Sequence, residues 1–157
     1  MDNKKESSVS VSIIDSEDEY KAWMLYAQSD YDCAKYLTEA PLHPRPYNII
    51  CYHYQQAAEK IAKALIVYYK TPGGISKVHD VEFLLNQVKN LVKNDKGIEL
   101  TDKIKTMASD ISIYASEPRY PNEFPADESD VIKAGKYCKE IMNWAIEVIN
   151  APKKIRD

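Results

Sequence analysis

The sequence predicts an all-α protein, an up-and-down antiparallel helical bundle of about five helices, three long and two shorter. Three observations carry this. The stretch Tyr47 to Lys70, YNIICYHYQQAAEKIAKALIVYYK, runs without Gly or Pro and is apolar on more than one face. Apolar residues recur at helical spacing in four further stretches, with breakers between them. Only four glycines are present, and the one alternating pattern, Val9, Val11 and Ile13 among serines, is short and terminal.

Residues 1–15 are polar and Ser-rich and read as a disordered tail. Helix 1 opens at Ser16, where Ser16-Glu17-Asp18-Glu19 has the form of a capping box, and closes before Pro41. Its inner stripe is Trp23, Ala27, Asp30, Ala34 and Leu37. Asp30 is the exception on that seam, and needs a cation within reach; Lys63 or Arg119 is the expected one. The three prolines of PLHPRP, residues 41–46, end the helix and start the next.

The central helix carries two adjoining apolar stripes, Ile50, Tyr54, Ala57, Ile61, Ala64, Tyr68 and Cys51, Ala58, Ala62, Leu65, Tyr69. A helix apolar over most of its circumference belongs in the middle of a bundle. Gln56, Glu59 and Lys63 interrupt it as a polar file, and polar groups there must find partners or line a groove. TPGGIS, residues 71–76, is a turn. Helix 3 is expected from about Lys77 to Lys93, capped by Ser76, with Val81, Leu84, Leu85, Val88 and Leu91 inward.

Thr101 caps helix 4, whose stripe is Ile104, Met107 or Ala108, Ile111 and Tyr114. SEPRYPNEFPA, residues 116–126, holds three prolines and forms an ordered loop around Tyr120 and Phe124. Helix 5 starts at Asp127 and ends near Asn150, with Val131, Ala134, Cys138, Ile141, Ala145 and Val148 on one face. Residues 16–150 thus make one domain and 151–157 a solvated tail. Helices 1, 2 and 5 form the long core, with 3 and 4 as a shorter hairpin against it.

At 157 residues the chain is long enough for one real core. Its net charge of -3 and pI of about 5.7 argue against a global basic field that attracts nucleic acid. The three cysteines, Cys33, Cys51 and Cys138, are far apart and read as buried free thiols in a reducing cytoplasm. The start lacks an apolar core of signal-peptide length, and no stretch suits a membrane span. The expected location is the cytoplasm, with no membrane contact.

The candidate ligand-binding set is Asp30, Gln56, Glu59, Lys63, Arg119 and Tyr120. The plainer alternative for Glu59 and Lys63 is an ordinary i,i+4 pair on a surface strip. His79-Asp80 has the form of a metal-binding pair, but only His43 and His53 remain as further histidines, so no metal is expected. Asp80 near a helix start more simply complements the dipole. No GxSxG elbow, P-loop or GxGxxG occurs, and Cys51 and His53 point apart on one helix. No catalytic residue and no cofactor is assigned. Arg119, in a proline-stiffened loop, is the best anion ligand, or else pins that loop to Asp30 or Glu59.

Four features in order resemble the HEPN family (higher eukaryotes and prokaryotes nucleotide-binding domain). They are Ser29-Asp30, CYHYQQAAEKIAKAL at 51–65, VHDVEFLL at 78–85 and PRYP at 118–121. The resemblance spans about Tyr20 to Ile149 and implies an all-α bundle, usually dimeric. Many such proteins are metal-independent ribonucleases, often toxins, using an Arg followed after four to six residues by a His. Arg119 matches the arginine, but Phe124, Pro125 and Ala126 stand where the histidine would, and none can move a proton. Arg45 and His53 are wrongly spaced to replace the pair. The pattern looks more like HEPN domains encoded beside a minimal nucleotidyltransferase. There Asp30, Gln56, Glu59, Lys63, Arg119 and Tyr120 match positions thought to bind a nucleotide or that partner.

The resemblance therefore implies a nucleotide- or partner-binding module in a toxin–antitoxin-like pair. Two rivals stay open: an endoribonuclease using Arg119 with Tyr120 as proton donor, and a domain whose polar file only fixes the bundle's register. The apolar central helix, with Ala134 and Gly135 on helix 5, suggests a self-complementary homodimer interface.

Overall fold

In the computed structural model, residues 16–75, 77–115 and 125–155 are described. They form α1 (Ser16–Glu39), α2 (Tyr47–Tyr68), α3 (Val81–Lys96), α4 (Asp102–Ile111), a 3-10 turn (Ser112–Ala115) and α5 (Glu128–Asn150), with no strand among them. The expected N-terminal tail with its faint strand pattern, the last two residues of the C-terminal tail and most of the proline-rich loop lie outside the described residues.

The fold is built on α2, which contacts α1, α3 and α5. Its stripe of Ile50, Tyr54, Ala57, Ile61 and Ala64 is buried, as are Cys51, Ala58, Ala62 and Leu65. Tyr68 and Tyr69, at the end of both stripes, are half-buried. The helix stops where Lys70 turns to a positive φ of 48°, letting the N–H of Thr71 reach back to the carbonyl of Ile66.

Contacts along the helices set their directions. Tyr20 meets Tyr68 while Tyr31 meets Tyr54, so α1 and α2 are antiparallel. Ser112 Oγ accepts from the N–H of Val81, which sets α4 antiparallel to α3, and Trp144 Nε1 donates to Glu99 O just ahead of α4. Lys103 pairs with Glu140 and Tyr114 with Asp130, so α4 and α5 are antiparallel too. The expected antiparallel packing is thus met at α1/α2, α3/α4 and α4/α5. Helices α2 and α3 run the same way: His79 lies beside Glu59 and Asp95 beside Tyr69. The connection after α2 must therefore travel back along it before α3 begins.

That return displaces the start of α3. The helix begins at Val81, not near Lys77, and its N-cap is Asp80, whose side chain accepts from Phe83 N at 3.2 Å. Ser76, the expected cap, lies outside the described residues. The buried stripe is Val81, Leu84, Leu85 and Val88 as expected, but its last place falls to Val92, and Leu91 is at the surface. Thr101 caps α4 as expected, and Asp127 opens α5 with a reciprocal capping box to Asp130. The face read for α5 is buried throughout, and Cys51 and Cys138 are buried; Cys33, by contrast, is exposed.

Ala134 and Gly135, read as marks of a dimer interface, are used inside the chain. Ala134 is buried, and Gly135 is where the ring of Tyr54 packs on α5. A Cβ at Gly135 would come 3.1 Å from Tyr54 Cζ and 3.2 Å from its hydroxyl. Tyr31 on α1 packs edge-on against the same ring, with the centroids 5.7 Å apart, and the Tyr54 side chain is buried. Gly135→Ala gains helix propensity, yet overpacks a confined ring, so stability should fall by about 1 kcal/mol. Denaturant titration checks this; a gain would mean the Tyr54 ring moves aside freely.

Candidate functional site

A carboxylate on the most buried helix is the starting point. Glu59 is 3 % exposed. Its Oε1 accepts from Lys63 Nζ at 2.6 Å and faces His79 Nδ1 at 3.0 Å. Its Oε2 accepts from Gln55 Nε2 at 3.0 Å and Gln56 Nε2 at 3.4 Å. Burial pushes the Glu59 carboxyl up, but the bonds from Lys63, Gln55 and His79 outweigh it and hold the group below the usual carboxylate range. An ionised carboxylate only accepts, so the His79 ring donates from Nδ1 and turns Nε2 away. Gln55 also donates to the carbonyl of His79, clamping the returning connection to α2. The ammonium of Lys63 lies 5.8 Å from the ring centre of Trp23 on α1.

One turn away, at the α1/α2 seam, stands a second ionic group. Asp30 meets His53 Nδ1 at 2.9 Å and Lys60 Nζ on its other oxygen. The need for a cation at Asp30 is therefore real, but the partners differ from those expected. Lys63 is committed to Glu59, and Arg119 and Tyr120 lie outside the described residues. Lys60 follows His53 by two helical turns on the face toward α1, which is why it, and not Lys63, closes on Asp30.

The structure thus brings Gln56, Glu59 and Lys63 together and adds Gln55 and His79, while Asp30 belongs to the adjoining group with His53 and Lys60. Gln55 was hidden in the sequence because it occupies the apolar side of the Gln-Gln pair, fully buried. His79 was visible only as half of a metal-type pair. Its role follows from the return of the chain after α2, which has no local signature. Among the described residues no group of three or more His, Cys, Asp or Glu is arranged to hold a metal ion. Cys51 is no nucleophile either: burial, and then Asp130 and Asp127, push its thiol up to about 12.

Residues 20–149 match the family model of the HEPN domain. The chain belongs to the HEPN family. Two solved structures share the fold. TT1696 from Thermus thermophilus aligns with a TM-score of 0.64 at 20% identity, covering 83% of this chain and 98% of that one. ST0689, described as an archaeal HEPN homologue, aligns with a TM-score of 0.59 at 20% identity and the same coverage. No curated protein matches the chain. Among the described residues no helix is long and apolar enough to cross a membrane.

In this HEPN domain, Ala126 is one of the three positions where a ribonuclease histidine would stand. It instead ties the chain to the start of α2, its N–H donating to Asn48 Oδ1 at 2.7 Å.

The Glu59 network yields a pH prediction. A carboxyl held below its unfolded value contributes stability that is fully present above the ordinary value, 4.5, and is lost as pH falls through the folded value. Glu59→Gln should cost about 3 kcal/mol at neutral pH, since Lys63 is left buried without its anion. The gap between variant and parent should narrow once pH drops below 4.5. Urea titrations at neutral and acidic pH measure both, and a pH-independent gap would contradict the ionised state.

Proposed function

We propose that this HEPN domain is a binding module, not an enzyme, taking a nucleotide or a partner protein on the polar face of α2. In this reading it is the companion of a nucleotidyltransferase in a pair of toxin–antitoxin type, and works in the cytoplasm as a homodimer. The observation that supports the binding role best is the closed network around Glu59. Its donors are fixed before any ligand arrives, so little side-chain freedom remains to be lost on binding.

The outward side of the network suits a ligand with a phosphate. The His79 side chain is 64% exposed, and with Nδ1 given to Glu59 its Nε2 faces away from the carboxylate. His53, bound through Nδ1 to Asp30, offers the same half-used ring. A histidine of this kind can accept a hydrogen bond, or add a proton to meet an anion. Arg119 and Tyr120 complete the set by the family pattern. A dimer is supported by Leu25, Tyr26 and Tyr36, large apolar side chains that α1 leaves exposed.

Calorimetry with ATP tests the nucleotide arm. Arg119→Ala and His79→Ala should each weaken binding by roughly 1.5–3 kcal/mol, the scale of a charge-assisted hydrogen bond. Protein that cleaves single-stranded RNA without metal, and loses this on Arg119→Ala, would replace the binding reading with the enzyme. Neither binding nor cleavage would remove the nucleotide and leave the partner protein as the ligand.

A further inference from the structure

At the opposite end of α2 from its entry, beyond the Glu59 network, lies a second polar concavity that shares no lining residue with it. Because α2, α3 and α5 run the same way, their C-terminal ends converge there. A cavity of about 630 Å³ opens between them, lined by Tyr68, Tyr69, Lys70, Leu91, Asn94, Asp95, Lys153 and Lys154. That volume is in the range that takes a small organic ligand.

Converging helix C-termini concentrate partial negative charge, so lysines there have an ordinary explanation as caps. Here that role is filled by other groups. Lys96 Nζ takes the carbonyl of Ala151. The carbonyls of Leu65, Ile66, Val67 and Lys93 accept from the backbone N–H groups of Tyr69, Thr71, Lys70 and Gly97, and Asp95 O accepts from Lys154 N. The one carboxylate in the wall, Asp95, accepts from the hydroxyl of Tyr69 at 3.0 Å. Lys70, Lys153 and Lys154 make no ion pair among the described residues, unlike Lys60, Lys63 and Lys93. Three uncommitted ammonium groups therefore border a concavity whose walls are two phenol rings and Leu91, with the Asn94 amide as a further donor and acceptor.

We propose that this end cavity binds a small organic phosphate monoester with a flat apolar body. The body packs on Tyr69 and Leu91, and the dianionic head lies among Lys70, Lys153 and Lys154. Three ammonium groups match a dianion better than the single charge of a carboxylate, and charge-assisted contacts give the head most of its affinity. The site is independent of the polar face of α2, and neither depends on the other.

The test is a titration of the full chain with phenyl phosphate, followed by amide NMR shifts. Saturable shifts at Leu91, Asn94 and Lys154 are expected, weakening with added salt. Lys153→Gln/Lys154→Gln, both on an exposed tail, should weaken binding about tenfold, or about 1.4 kcal/mol. Lys136→Gln/Lys139→Gln removes the same charge midway along α5 and should leave binding unchanged. Inorganic phosphate and benzoate should bind more weakly than phenyl phosphate. Absent or non-saturating shifts, or equal losses in the two lysine pairs, would overturn the site. Benzoate binding as tightly as phenyl phosphate would overturn the phosphate assignment. Shifts confined to His53 and His79 would likewise overturn it, and assign the anion to the face of α2.

Discussion

An ionised carboxylate in the middle of the most enclosed helix constrains everything around it. Glu59 sits where α1 and the segment before α3 both cover α2, and it must be satisfied on both oxygens. Its own helix supplies Lys63, Gln55 and Gln56, one turn to either side. The last donor, His79, comes from the chain returning after α2, and Gln55 holds that return by its backbone carbonyl. Buried ion pairs add little net stability over well-packed apolar residues, because desolvation offsets the attraction. What such a network supplies here is a position: it places the segment just ahead of Asp80 against α2. From that point α3 runs alongside α2 in the same direction. The place where α3 starts and the geometry of the candidate site thus share the same contacts.

The two sides of α2 do different work. Toward α5 the contact is apolar and close, with the Tyr54 ring accepted by the missing side chain of Gly135. Toward α1 it is mixed: Trp23 lies near the Lys63 ammonium, and Asp30 draws His53 and Lys60 to the seam. The apolar side accounts for the cohesion of the long core. The mixed side leaves the His53 ring part-exposed, with its Nδ1 on Asp30. The parallel course of α2, α3 and α5 has a further effect, since it gathers their carbonyl ends at one end of the bundle. Lysines collect there in answer, more of them than the carbonyls require.

Family membership fits this division. The fold is shared with proteins at 20% identity, a level at which core volume and helix pattern persist while surface chemistry diverges. At the end of the proline-rich loop, the Ala126 N–H bonded to Asn48 shows a position serving anchorage, with no group able to move a proton.

Helix content, the ends of α1 and α5, the start of α4 and the centrality of α2 were legible in the sequence, whereas Tyr114, read as part of helix 4, falls in the 3-10 turn beyond it. The legible features depend on periodicity, capping residues and prolines, all of which act over a few residues. The polar file Gln56, Glu59, Lys63 was legible for the same reason, as a break in an otherwise apolar helix. Asp30 could be recognised as needing a cation, but its choice of Lys60 and His53 over Lys63 depends on how α1 lies along α2. His79 joined the site only through tertiary structure, and Gln55, a local i,i+4 partner of Glu59, was not singled out. A buried glutamine looks like any polar residue in sequence, and a histidine ahead of a helix cap carries no mark of the carboxylate it will meet. Local capping rules start α3 after Ser76, whereas the clamp on His79 defers the helix to Asp80. Residue spacing alone determined which segments are helices and where their polar breaks fall. Only the packed bundle decided which donor meets which acceptor, because those pairings join residues some twenty to thirty positions apart along the chain.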